Sequence, residues 1–534
     1  MAENVQELLR ERAEEDSVAV LTEDRRWTWR EHLTEAATEA AAMIELADPG
    51  RPLHVGVLLG NTPDMLRSMA AAALGGYVLC GINTTRRGEG LVKDVRRSEC
   101  QILVTDAEHR PLLDGLDLGD VRVLDTASAE WAELLAGSAT DVASLVPHRE
   151  VGAMDTFMMI FTSGTSGDPK AVQVAHLMVL FSGMNLIDRF AITADDVCYL
   201  SMPLFHSNAV VAGWAVSIGS GAAMVPTKFS ASRFLSDVRH YGVTYMNYVG
   251  KPLAYVLATP EQPDDADNPL RHAFGNEASD RDIDEFSRRF GCAVMDGFGS
   301  TELAVIITRE AGTPKGSIGK GLNNVAIYDP ETVAECPVAV FDEHGALTNA
   351  DQAVGEIVNV EGAGYFQGYY NDDQANADRM RHGMYWSGDL GYRDADGWIY
   401  LAGRTADWMR VDGENLAAGP IERILQRLEV VSRVAVYAVP DEHVGDQVMA
   451  ALVLRDEATL APAELEAFLA AQPDLSPKAW PRFVRIADDL PSTATNKVLK
   501  RELAAQGPTP GDGVLWTRAA RGTSYAPAGE PASV

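Results

Sequence analysis

Ten residues, Phe161-Thr-Ser-Gly-Thr-Ser-Gly-Asp-Pro-Lys170, bring together two glycines, four hydroxyls and a lysine at the end of the apolar run MMIF. Glycines let backbone N–H groups close on an anion, hydroxyls donate hydrogen bonds and a lysine offsets charge, so this composition suits a phosphate. A Walker loop is not matched, because Asp168 and Pro169 stand between Gly167 and Lys170. The residues that follow, AVQV, alternate with β-branched side chains, so the spacing predicts a loop that joins two strands instead of one that opens a helix. The alternative is a plain solvated loop.

Such a loop needs a scaffold, and 534 residues are enough for several domains. From Val55 onward VGVLL, MLRSMAAAALGGYV, EGLVKDVRRSE, QILVTD and VRVLD read as βαβαβ. The rhythm resumes from SRFLSDVRHYG to CAVMDGFG, which predicts a second parallel sheet covered by helices. After about Phe341 the sequence turns Gly-punctuated and β-rich, with the turn dipeptide Asp396-Gly397, and antiparallel strands are expected. A small α+β unit follows Arg404. The fold class is therefore α/β: a large N-terminal domain over residues 1–402, made of stacked parallel α/β layers plus a β-rich part, and a small α+β domain over 408–505. The segment from Gln506 to the end, rich in Pro, Gly, Ala and Ser, is expected to be a mobile tail.

The formal net charge of -32 opposes binding to nucleic acid or to anionic lipid, so any phosphate site must be built locally. The five cysteines are scattered, with no CxxC pair and no zinc spacing, which suits a reducing cytoplasm. The acidic, amphipathic N-terminus lacks the basic start and apolar run of a secretory signal. The most apolar stretches, 69–82 and 209–226, are too short to span a bilayer and read as buried elements, so no integral membrane association is expected.

Five motifs in order give the loop a context. TSGTSGDPK resembles the phosphate-loop motif of the adenylate-forming superfamily of acyl-CoA synthetases, peptide-synthetase adenylation domains and luciferases. Gly297-Phe-Gly-Ser-Thr-Glu302 resembles that family's aromatic-Gly-x-Thr-Glu, Ser387-Gly-Asp389 its (S/T)GD segment, Gly403-Arg404 its Gly-Arg pair, and Asn496-Lys497 with VLKREL its C-terminal lysine segment. The stretches MPLFHSNAV, DGFGSTE and GRTADWMRVDGENLAAGPIERIL are most similar to actinobacterial fatty-acid-CoA ligases.

The resemblance implies an AMP-forming acid–thiol ligase that uses ATP, Mg²⁺ and coenzyme A. It implies that Thr162, Ser163, Gly164, Thr165, Ser166, Gly167 and Lys170 hold the β- and γ-phosphates, and that Glu302, with Thr165, serves Mg²⁺. Gly275, Asn276, Glu277, Asp296, Gly297, Phe298, Gly299, Ser300 and Thr301 surround the nucleotide, with Phe298 offering a π-face to adenine. Asp389 accepts the ribose hydroxyls, Arg404 adds donors, and Lys497 binds the reacting carboxylate and α-phosphate. The neighbouring Lys500 and Arg501 read as solvent-facing. His206 is implied at the gate between the acyl pocket and the thiol, with Trp214 lining that pocket; Arg410, Gly413, Glu414 and Asn415 approach coenzyme A after the small domain rotates about a hinge at 403–407. Each has an ordinary reading beside this one: Lys170 and Lys497 as surface lysines, Phe298 and Trp214 as core, His206 as a structural histidine.

Three positions depart from the family pattern. Ala406 replaces the usual hinge Asp or Lys, Arg410 replaces a frequent Lys, and Asn496 replaces the Gly before the lysine, departures that bear on rates more than on reaction type. Transfer to a carrier protein is the rival enzyme reading, disfavoured because no carrier domain follows the small domain in this sequence; a non-catalytic ligand sensor is the rival of another class. The acid itself, fatty or bulkier and steroid-like, is left open, as is assembly into a homodimer.

Overall fold

Two mostly parallel sheets form where the sequence alternates short β-branched runs with helical periods. The first has the order Arg122–Asp125, Ile102–Thr105, His54–Leu58, Val78–Gly81, Thr156–Thr162, Lys170–Ala175, all parallel until the last strand, which runs antiparallel to its neighbour. The second runs Ala293–Asp296, His272–Asn276, Tyr245–Val249, Val197–Leu200, Ala223–Pro226, Val18–Leu21, Arg26–Thr28, again with only the last strand antiparallel. Helices start where capping residues allow: Thr28 and Glu31 form a reciprocal capping box for Trp29–Glu45, and Thr62 caps Pro63–Gly75 with proline in its first turn.

The computed structural model describes residues 2–162, 169–250, 252–310, 312–322, 324–343, 347–404, 408–411, 414–441, 445–473, 475, 479–493, 498–519 and 522–528. The chain divides into two compact units. One comprises Met1–Ala304 and Ala363–Asp378 and holds both parallel sheets; the other comprises Val305–Gly362 and Arg379–Val534. Apolar clusters between helices and sheet, such as Val238, Phe286 and Phe290 from helices packed with Met246 of the second sheet, form the core of the first unit.

The run 69–82 becomes the buried end of helix Pro63–Gly75 and strand Val78–Gly81. The run 209–226 becomes a π-turn at Val210–Trp214, helix Ala215–Ser220 and strand Ala223–Pro226. Among the described residues no helix is long and apolar enough to cross a membrane.

In the second unit an antiparallel sheet is built around Gly355–Asn359, Met384–Arg393 and Trp398–Arg404, with Asp396-Gly397 turning the last two strands. It begins earlier than the sequence suggested, at Ile307–Thr308, because its first strands are only two or three residues long and carry no readable period. A second sheet follows: Gly445–Leu454 pairs with Val431–Asp441, with Trp408–Val411 and with Phe483–Ile486, beyond which the sheet continues. The expected mobile tail is a correction. Strands Val514–Arg518 and Tyr525–Pro527 extend this sheet, burying Trp516 and Tyr525; the surrounding Pro, Gly and Ala hid two short strands whose anchors are single aromatics.

Candidate active site

Strands Thr156–Thr162 and Lys170–Ala175 form the hairpin that the alternation predicted, and Thr162 pairs with Lys170 as its last rung. Residues 163–168, hence Ser163, Gly164, Thr165, Ser166 and Gly167, lie outside the described residues. The hairpin nevertheless fixes Thr162 and Lys170 at the loop's mouth. Lys170 is 9% exposed, not a surface lysine, and its ammonium lies 5.0 Å from the centroid of the Tyr369 ring. A ring quadrupole is a favourable partner for a cation held away from water.

Tyr369 arrives on a segment that returns along the outer edge of the hairpin. Its neighbour Tyr370 donates its N–H to the Ala171 carbonyl at 2.8 Å, and the Gln173 N–H reaches the Gly368 carbonyl at 3.1 Å. Asn376 grips the Tyr369 backbone at both ends, accepting its N–H at 2.6 Å and donating to its carbonyl at 3.0 Å. The Tyr369 hydroxyl donates to Oε1 of Glu302 at 2.8 Å. Glu302 is itself buried, and a hydrogen bond to a charged acceptor is worth about 1.5–3 kcal/mol, so the carboxylate is held in one orientation. Lys170 and Glu302 thus meet the same side chain at different places.

The strands that carry the residues expected around the nucleotide lie in the second sheet. Gly275 runs so close to Tyr248 that a Cβ would stand 2.2 Å from its carbonyl oxygen, which explains the glycine. Glu277, just beyond, has φ 66°, a left-handed conformation that is uncommon outside glycine. Three amides form a relay: Asn247 donates to Asn208 at 2.8 Å, Asn208 to Asn276 at 2.9 Å, and Asn276 to the Gly297 carbonyl at 2.6 Å. A carbonyl can only accept, so Gly297 sets the sense of the whole relay. Thr301 ties the same two segments together, donating to Ser207 Oγ at 2.9 Å. Asp296 turns toward the scaffold, accepting the Ala278 N–H at 2.9 Å and the Tyr248 hydroxyl at 3.2 Å. Phe298 is only half-buried, with no ring partner among the described residues, and Gly299 is exposed.

The sequence matches the AMP-binding enzyme family over residues 9–370, and that family's C-terminal domain over residues 420–497. The chain belongs to the AMP-binding enzymes.

This AMP-binding enzyme is 51% identical over 511 residues to the medium/long-chain-fatty-acid–CoA ligase FadD17 of Mycobacterium marinum, covering 96% of this chain and 97% of that one. It is 46% identical to the steroid-22-oyl-CoA synthetase of Rhodococcus jostii, covering 93% and 90%. Among solved structures it shares its fold with ATP-bound MatB from Rhodopseudomonas palustris, at a TM-score of 0.81 and 23% identity over 95% of this chain and 99% of that one. The anthranilate CoA ligase AuaEII in complex with anthranoyl-AMP gives 0.81 and 20%, over 94% and 97%.

His206 precedes the helix that contains the π-turn. Its ring lies 4.6 Å from that of Phe205, Nε2 is buried without a hydrogen-bond partner among the described residues, and burial pushes its pKa down to about 4. In neutral solution the imidazole of this AMP-binding enzyme is therefore uncharged. Trp214 is fully buried and stacks on Phe157 at 5.3 Å, the arrangement of a core residue.

In the second unit Ser387 Oγ accepts the Asp389 N–H at 3.1 Å, and Glu356 accepts the Gly388 N–H at 2.6 Å while Arg381 pairs with it at 3.1 Å. Gly388 has φ 76°, so the turn that presents Asp389 needs its glycine. Asp389 pairs across the sheet with Arg404, whose side chain lies outside the described residues. Arg410 and Asn415, and Val411 and Glu414, pair as backbone in a tight hairpin. Gly413, the hinge residues 405–407 and Lys497, with Asn496, lie outside the described residues, as do the side chains of Arg410, Glu414 and Asn415. Lys500 corrects an expectation: its ammonium pairs with Glu422 at 2.9 Å and is largely covered, because that carboxylate sits on a facing helix. Sequence reasoning passed over Tyr369, Asn376, Asn208, Ser207 and Glu356. The aromatic-rich YFQGYY and the lone amide ahead of an apolar helix were the available signals.

Proposed function

We propose that this AMP-binding enzyme is an acyl-CoA synthetase that joins a medium- or long-chain fatty acid to coenzyme A. The observation that carries this reading is the buried pairing of Lys170 and Glu302 on Tyr369 at the mouth of a glycine- and hydroxyl-rich hairpin loop. The 51% identity to a chain named as a medium/long-chain-fatty-acid–CoA ligase supplies the substrate class.

In the first half-reaction a carboxylate oxygen attacks the α-phosphorus of ATP, the bond to the bridging oxygen breaks, and pyrophosphate leaves. In the second, the coenzyme A sulfur attacks the acyl carbonyl, AMP leaves with the bonding pair, and the thiol proton passes to solvent. Lys170 and the loop residues offset phosphate charge, Phe298 stacks on adenine, Asp389 holds the ribose, and Lys497 stabilises charge developing at the α-phosphate. Among the described residues no group of three or more His, Cys, Asp or Glu could hold a metal alone. A single buried carboxylate suits Mg²⁺, which keeps waters and shares substrate phosphates, and which would supply charge neutralisation when bound to Glu302. His206, neutral and apolar-packed, acts as a gate and not as a base. Residues 408–505 turn about 403–407 between the half-reactions, a movement for which Gly403, at φ 135°, gives the backbone freedom. A cytoplasmic location belongs to the same reading, since all five cysteines are free and buried.

A steroid side-chain acid is the second reading, favoured by 46% identity to a steroid-22-oyl-CoA synthetase. ATP-dependent pyrophosphate release over short, long and polycyclic acids, with and without coenzyme A, decides between them. Turnover with long linear acids alone supports the first reading and with polycyclic acids alone the second; release from none of them overturns both.

A further inference from the structure

We propose that Tyr369 is a positioning residue with two separable tasks: its hydroxyl orients the metal-binding carboxylate of Glu302, and its ring supports the phosphate-binding ammonium of Lys170. The inference rests on the roles given to Lys170 and Glu302 under the proposed function.

Four observations converge on this side chain. It is 2% exposed, so it faces inward. Its hydroxyl is 2.8 Å from Oε1 of Glu302. The ammonium of Lys170 stands 5.0 Å from its ring centroid. Its backbone is fixed twice, by the two hydrogen bonds to Asn376 and by an antiparallel bridge to Val172 on the hairpin strand. A side chain so held has little freedom to follow Glu302 or Lys170; they must take their positions from it.

The choice of tyrosine has a chemical reason. A neutral hydroxyl donor occupies one carboxylate oxygen and leaves the full negative charge for a metal on the other, whereas an arginine or lysine in the same place would neutralise it. The hydroxyl also selects the orientation of the ligand, as outer partners of metal ligands do, and loss of such a partner costs about 10- to 100-fold in metal affinity or activity. The electron-rich face of the ring favours a positive charge beside it, so it supports the Lys170 ammonium in the place where a polyphosphate would meet it.

Two substitutions separate the tasks. Tyr369→Phe keeps the ring and removes only the hydroxyl, and Tyr369→Leu removes both. The readouts are Mn²⁺ bound in the presence of a non-hydrolysable ATP analogue, followed by electron paramagnetic resonance, and binding of that analogue in EDTA by calorimetry. The Mg²⁺ dependence of pyrophosphate release accompanies them. The Phe variant should need about tenfold more metal for half-saturation while binding the analogue in EDTA as the wild type does. The Leu variant should show the same metal shift and, in addition, analogue binding weakened several-fold. A Phe variant with wild-type metal response, or one that loses analogue binding in EDTA as much as the Leu variant, overturns the inference. Failure of the wild type to release pyrophosphate with any acid overturns the functional reading instead, and the metal and nucleotide titrations remain decisive for Tyr369. Should Tyr369→Leu fail to fold, the near-isosteric Phe variant still carries the test.

Discussion

The two ends of the first unit's candidate site are built on opposite principles. At the charged end, Lys170 and Glu302 come from distant parts of the chain and share one aromatic side chain, so their geometry depends on a single tertiary return. At the amide end, Asn247, Asn208, Asn276 and Gly297 hand hydrogen bonds along a fixed direction, with no charge among them. A charge taken out of water is costly unless it is paired, while neutral polar groups need only hydrogen bonds to one another. The first arrangement tunes chemistry; the second fixes shape.

The contrast breaks most severely at Gly275. Alanine there would press its Cβ against the fixed Tyr248 carbonyl, so Gly275→Ala should cost about 3 kcal/mol or more in urea denaturation and abolish adenylate formation with it. At the charged end the fold should survive and the chemistry should not. Glu302→Gln keeps an acceptor for the Tyr369 hydroxyl, so its melting curve should match the wild type while pyrophosphate release falls roughly 10²–10³-fold. An intermediate effect is expected from Asn208→Ala, which leaves an Asn247 donor and an Asn276 acceptor without partners. Equilibrium unfolding should show a loss of about 2 kcal/mol, and a loss below a few tenths would mean that the relay is ornamental.

The smallest effect tests what the two ends share, which is histidines kept neutral by burial. His176 packs on Phe157 of the hairpin, with Asp155 and Arg149 as the charged groups acting on it, and burial lowers its pKa to about 4. The unfolded chain, with a histidine pKa near 6.5, takes up the proton first. Stability should therefore be fully present above about pH 6.5 and decline as pH falls toward about 4. By pH 5.5 this group should have cost roughly 1.4 kcal/mol. His176→Gln should flatten that part of the pH–stability curve, and an unchanged slope would show that the imidazole is not held neutral.

Much of this was legible before any coordinates. The alternation in AVQV announced the hairpin, because it is a local property of a few residues. Gly275 and Gly388 stand where close approach or a left-handed turn demands them. Tyr369 was not legible, because its function lies in meeting Lys170 and Glu302, and no local period encodes that encounter. Asn208 was missed for a related reason: an amide ahead of an apolar helix looks like a cap until its partners on two other strands are known. Trp516 and Tyr525 were hidden by neighbours of low complexity, although each anchors a strand.

The segment that delivers Tyr369 has one more effect, and it concerns encounters between molecules. Lys170–Ala175 is the last strand of its sheet, alternating and rich in β-branched side chains, the kind of edge onto which another chain's strand can add. Residues 368–370 already occupy the Ala171 carbonyl and the Gln173 N–H, and the Gln173 side-chain amide is spent on the Gln367 carbonyl. The stretch that orders the charged end thus also closes the sheet against strand addition, so a lesion that loosens it should cost solubility as well as turnover.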